Sequence, residues 1–193
     1  GMDAVALAAS DTVEAVAALL WQCPQDAAFG AAPLAPAHLA AMQAAFSGRR
    51  SEQSLLPLFT IASEDDPTAQ WQRSPQRLAE GCGVLVRLLA ACLLHTAPAS
   101  APVHRQCASA WQVDEEGADL IRMALVLCAD HELNASSFTA RCVASTGASL
   151  RASVVAGLAA LTGGLHGGTT ARVEALWDEL GEAPPASKLR ERL

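Results

Sequence analysis

DEEGADLIRMALVLCADHELNASSFTARCVASTGASLRASVVAGLAALTGGLHGG, residues 114–168, is the stretch that decides the fold. Asp114, followed by Glu115 and Glu116, offers a helix N-cap and a negative first turn suited to the positive end of the helix dipole. Behind it, Leu120, Ile121, Ala124, Leu125, Leu127 and Cys128 form an apolar helical run to about residue 130, with Arg122 its one strongly polar interior member. That pattern predicts a central helix with His131 at its C-terminal edge. A second helix is predicted over 149–161, built from Ala, Val, Leu and one Gly, whose small side chains permit close packing. Gly163 and Gly164 end it.

Working outward, the same period recurs and no useful β alternation appears, so the predicted class is all-α. Val13, Val16, Ala17 and Leu20 share one face of a helix over 12–21, with Asp11 as the expected N-cap. Further helical patterns run from Pro36 to Ser47 and from Glu52 through Ala62. Residues 63–75 are polar and turn-rich and read as a loop. Residues 75–94 are dense enough in apolar side chains to predict a helix buried on most sides, and HTAPASAP then breaks it. After residue 168 a helix is expected from about Thr169 to Leu180, before Gly181 and Pro184-Pro185, and PASKLRERL reads as the beginning of another.

The 193 residues, 51% of them hydrophobic, are ample for one core. A formal charge of −7 without a Lys/Arg run lacks the footprint of a nucleic-acid or membrane-surface binder, and no apolar stretch reaches spanning length. The N-terminus is interrupted by Asp3, Asp11 and Glu14 and does not read as a secretory signal. Six scattered cysteines, without metal-knuckle or redox spacing, predict reduced thiols, a cytoplasmic setting and no metal. Cys92 and Cys128 lie in apolar runs and read as core filler.

Two histidines carry the chemical interest. His131 stands among Asp130, Glu132, Asn134, Ser136, Ser137 and Thr139 where an apolar helix ends, a setting that fits a small-anion pocket as well as a capped helix terminus. His166 is flanked by four glycines, which let the backbone approach a ligand closely or simply form a hinge. With a helix starting near Thr169, the positive end of that helix favours a neutral ring. Such an imidazole can donate a hydrogen bond to a carbonyl that is becoming an enolate.

ALVLCADHELNASSFTARCVASTGASL followed by GLAALTGGLHGG resembles the citrate synthase family, particularly its shorter bacterial members, and the likeness extends upstream through PVHRQCASAWQVDEEGADLIRM. The resemblance implies a multi-helical fold that is incomplete here: a partial large domain over 1–168 and the start of a small domain over 169–193. It implies that His131 and Asn134 bind oxaloacetate and that His166 stabilises the thioester enolate. Leu165, His166, Gly167 and Gly168 would then lie against coenzyme A. The implied reaction joins acetyl-CoA to oxaloacetate and hydrolyses citryl-CoA, with the coenzyme A thioester as substrate and no bound cofactor, in a homodimer. 2-Methylcitrate synthase, which takes propionyl-CoA, and citryl-CoA lyase share these motifs, and a non-catalytic helical binding module is the reading of another class. Gly164 replaces the family's usual proline and Thr169-Thr170 its commoner Ala-Asn. The PGFGH-type segment, the catalytic aspartate and the substrate arginines expected beyond LHGG are absent from these residues, so the 193-residue chain is expected to be inactive by itself.

Overall fold

The computed structural model describes residues 2–64, 74–129, 134–181 and 190. Eleven α-helices occur among them, with no strand: α1 (Ala4–Ser10), α2 (Val13–Leu20), α3 (Gln25–Phe29), α4 (Leu39–Ala45), α5 (Ser51–Ala62), α6 (Pro75–Leu94), α7 (Val103–Trp111), α8 (Glu115–Cys128), α9 (Ala135–Ser145), α10 (Leu150–Leu161) and α11 (Thr170–Leu180). A 3₁₀ turn, Gly167–Thr169, precedes α11. Among the described residues no helix is long and apolar enough to cross a membrane.

Local chemistry sets most helix starts. Asp114 accepts the Gly117 N–H at 2.9 Å, as the sequence predicts. At α2 the cap is Thr12, which accepts from Ala15 N at 3.2 Å, rather than Asp11. Ser74 caps α6, whose first residue is Pro75, a position where the missing N–H costs nothing. The α7 N-terminus has no cap of its own, and the buried carboxylate of Glu14, on α2, reaches across to accept the Val103 N–H at 2.7 Å.

The centre of the molecule is α6, which packs against α3, α5, α7 and α10. Leu85, Leu88 and Cys92 meet Leu39, Leu58, Phe59 and Ala62 in the main core, and Leu150, Val154 and Leu158 of α10 close over it. Close approach explains Gly83: a Cβ there would come within 1.9 Å of the Ala28 carbonyl oxygen, so α3 can lie on α6 only over a glycine.

The sequence places α8 at the centre, and the structure corrects this. α8 packs α1, α2 and α7 on one side, while Leu120 is 61% exposed on the other and Leu127 and Cys128 also face outward. Apolar density alone does not distinguish a central helix from one with a second, uncovered apolar face. Arg122 explains its own place in the apolar run. It is buried, and its guanidinium donates to the carbonyls of Ala8 and Asp11 at 2.8 Å each and pairs with Asp119, tying α8 to the end of α1.

Candidate active site

The site is made by a helical hairpin. α9 and α10 are joined through Thr146, Gly147, Ala148 and Ser149, and Gly147 takes the positive φ of 79° that the turn requires. The helices lie close enough that a Cβ on Gly157 would sit 3.4 Å from both the Ala140 Cβ and the Ser136 carbonyl oxygen. Gly157 is in the second half of α10, and Ser136 is in the first turn of α9. The start of α9 is therefore beside the end of α10, where the glycine loop follows.

Asn134 is the N-cap of α9, its side-chain Oδ1 accepting the Ser137 N–H at 2.9 Å and the Ser136 hydroxyl at 2.9 Å. Across the hairpin, His166 presents Nε2 to the same turn. The Ser136 N–H points at it over 3.3 Å, and the Ser136 Oγ lies 2.9 Å away. A ring nitrogen facing a backbone N–H must offer its lone pair, so Nε2 is the acceptor and the ring proton belongs on Nδ1. Among the described residues Nδ1 has no hydrogen-bond partner, which leaves one donor available to a ligand.

The loop that carries His166 is fixed by its own backbone. The His166 and Gly168 N–H groups both donate to the Gly163 carbonyl, at 2.9 and 3.0 Å, and the Thr169 N–H and hydroxyl donate to the His166 carbonyl at 3.0 and 2.6 Å. Gly167 lies against the end of α10, where a Cβ would come within 2.4 Å of the Leu161 carbonyl oxygen. Leu165 is 97% exposed at the loop's tip. An open cavity of about 400 Å³ begins at Gly167 and Gly168 and runs between Leu55, Leu93, Leu158 and Leu161, so one flank of the loop is apolar.

Asn134, Leu165, His166, Gly167 and Gly168 are thus gathered in one region. His131 lies outside the described residues. α11 begins at Thr170, within a residue of the expected start, after a 3₁₀ turn that His166 heads, and the His166 ring is bonded to the first turn of α9. Ser136 is the residue that sequence reasoning undervalued, as one hydroxyl among several near His131. Its signal was position, two residues after a cap-forming asparagine, which puts both its N–H and its hydroxyl at an open helix end. Among the described residues no group of three or more His, Cys, Asp or Glu side chains could hold a metal ion.

A family model described as citrate synthase, C-terminal domain, matches residues 1–193. Citrate synthase 2 of Bacillus subtilis is 46% identical over 63 residues, covering 33% of this chain and 17% of that protein. Citrate synthase of Deinococcus radiodurans is 44% identical over 71 residues, covering 37% of this chain and 19% of that protein. Among solved structures, citrate synthase from Thermotoga maritima superposes with a TM-score of 0.71 at 20% identity, over 99% of this chain and 55% of that one. Citrate synthase from Thermoplasma acidophilum, solved as a ternary complex with carboxymethyl coenzyme A and oxaloacetate, gives 0.66 at 19% identity, over 91% of this chain and 52% of that one. The chain spans about half the length of these solved relatives.

Proposed function

Because the chain belongs to the citrate synthase family, we propose that it carries half of a condensing site, in which His166 donates from Nδ1 to the carbonyl of an acyl-coenzyme A while oxaloacetate is the acceptor. The observation that carries this reading is the Ser136 contact. With Nε2 accepting the Ser136 N–H, the imidazole meets a ligand with a donor and not with a lone pair.

A donor is what enolisation needs. Loss of a methyl proton from the thioester puts negative charge on its carbonyl oxygen, and a hydrogen bond held ready at that oxygen stabilises the transition state without reorganisation. His166 in this role is no base, since its lone pair faces Ser136. The proton must go to another group, and the family's aspartate motif is absent from these 193 residues. Leu165, Gly167 and Gly168 form the approach for the coenzyme, with Leu165 projecting and the two glycines leaving the backbone open.

His131 and Asn134 are assigned to oxaloacetate. The Asn134 Oδ1 is already engaged by the first turn of α9, so its Nδ2 group is the one left to donate to a carboxylate. None of the family's substrate-arginine motifs lies within these 193 residues, so oxaloacetate binding by this stretch alone lacks their bidentate bonds and is expected to be weak. On this reading residues 1–168 belong to the family's large domain and 169–193 to its smaller one. The meagre packing of α11, mainly on the turn before it and tied back by the Arg50–Glu174 ion pair, agrees with that division.

The protein acts as a two-fold dimer in the cytoplasm on this reading. α9 has no buried residue and leaves Phe138 54% exposed, a face suited to a second copy. Acetyl-CoA is the proposed acyl donor, with propionyl-CoA the competitor to assay beside it. Calorimetry with oxaloacetate tests the assignment: His131→Ala weakens binding and His166→Ala preserves it. A parallel thiol-release assay with acetyl-CoA and oxaloacetate gives no turnover by the 193-residue chain. Reversal of the two binding results, or robust thiol release, contradicts the proposal.

A further inference from the structure

Enolate stabilisation uses Nδ1 of His166 and leaves the other side of the ring unexplained. There the Ser136 hydroxyl oxygen lies 2.9 Å from Nε2, within direct proton-transfer reach. The Ser136 N–H, aimed at the same nitrogen, holds Nε2 in its unprotonated form. The one proton of that hydroxyl is donated to Asn134 Oδ1 in this arrangement, and rotation about the Cβ–Oγ bond presents it to Nε2, which then serves as the base for a serine nucleophile. Both residues are half-buried, so a small reagent can reach the pair.

We propose that Ser136 is an acylatable nucleophile with His166 as its general base, and that this pair hydrolyses activated esters and thioesters of small acyl groups. Ser136 Oγ attacks the acyl carbonyl carbon while its proton passes to Nε2. The tetrahedral adduct collapses, the carbon–sulfur or carbon–oxygen bond to the leaving group breaks, and the imidazolium returns the proton to the departing thiolate or alkoxide. Water then attacks the acyl-serine, giving its proton to Nε2. The bond to Oγ breaks, the proton goes back to Oγ, and the free carboxylic acid leaves. One water is consumed and one thiol or alcohol is released.

One further feature fits this chemistry. The Asn134 carboxamide touches the Ser136 hydroxyl through Oδ1, and its Nδ2 group has no partner among the described residues, which supplies a donor beside the carbonyl under attack. Among the described residues no carboxylate bonds Nδ1. An acyl-serine is an unactivated alkyl ester, so its hydrolysis is slower than acylation by an activated ester or thioester and the acyl-enzyme accumulates.

The test uses the 193-residue chain, with no oxaloacetate, so its result is independent of the condensing role. The probes are 4-nitrophenyl acetate and a fluorophosphonate, with the modified residue found by peptide mass spectrometry. The expected result is a burst of nitrophenol, one acetyl or phosphonyl group on Ser136, loss of both in Ser136→Ala, and a labelling rate at least tenfold lower in His166→Gln. Thermal unfolding of each variant separates loss of chemistry from loss of fold, and labelling of the wild-type chain must vanish after heat denaturation. A folded wild-type chain left unmodified at Ser136, a label on another residue, or labelling that survives denaturation overturns the proposal.

Discussion

Gly167→Ala should dislodge His166, whereas Gly164→Ala, three residues away in the same loop, should not. At Gly167 an added Cβ meets the Leu161 carbonyl oxygen at 2.4 Å, about 1 Å short of the 3.4 Å at which ordinary contact begins. That oxygen belongs to the last residue of α10 and cannot swing aside as a side chain would. The loop must shift by about 1 Å, which carries Nε2 out of hydrogen-bond range of an N–H already 3.3 Å away. Overpacking of this kind costs about 1–3 kcal/mol, and each lost hydrogen bond adds about 1 kcal/mol, so about 2–4 kcal/mol is expected. At Gly164 nothing lies within 4 Å of the added Cβ, and alanine there changes stability by less than about 1 kcal/mol, through the unfolded chain. Urea unfolding gives the stability difference, and nitrogen-15 spectra of the His166 ring report whether Nε2 still accepts. Equal stability of the two variants, or an unchanged ring signal in Gly167→Ala, would refute the close-approach argument.

Arg122→Met strips the carbonyls of Ala8 and Asp11 at the end of α1 of their donor and should cost about 3–6 kcal/mol, from two charge-assisted bonds of about 1.5–3 kcal/mol each; Arg105→Met, which breaks an exposed pair with Glu115, should leave the urea midpoint unmoved. His104 is buried, and burial, then Arg105, lowers its pKa from 6.5, with Arg122 adding to the fall and Glu14 and Asp119 opposing it. The unfolded chain then binds the proton more readily, so stability should drop as pH falls from 6.5 toward the folded value, and His104→Gln should remove that part of the slope. Iodoacetamide should modify the exposed Cys128 and Cys142 first. Cys82, pushed to about 11 by burial and then by Cys23, and Cys92, pushed to about 12 by burial, should react only on unfolding.

Long apolar runs with clear stops were legible in the sequence. The bounds of α6, the Asp114 cap and the ends of α10 and α11 follow from local chemistry that tertiary context did not override. α9 was read only as a polar stretch, because ASSFTARCVAS has no apolar stripe and buries none of its residues; its stability comes from the Asn134 cap and from packing on α10. α7 was hidden behind a Pro/Ala/Ser breaker, and its missing cap comes from Glu14 on another helix, which no local rule can anticipate. The centrality of α6 over α8 depended on glycines that admit a neighbouring helix, a matter of contact and not of hydrophobicity. The sequence singled out His166 but not its partner. Ser136 reaches it only because α9 and α10 fold back on each other.

The central claim is that the His166 loop receives a coenzyme A thioester through Nδ1, and titration with acetonyl coenzyme A, an unreactive ketone analogue, tests it most directly. In nitrogen-15 and proton spectra of the 193-residue chain, the account predicts saturable shifts at Leu165, His166, Gly167 and Gly168. The Nδ1 proton of His166 should move downfield while Nε2 keeps its signature as an acceptor from Ser136, and His166→Ala should abolish the effect on the loop. Shifts confined to other helices, or a ring that binds the analogue through Nε2 with its Ser136 contact broken, would contradict it.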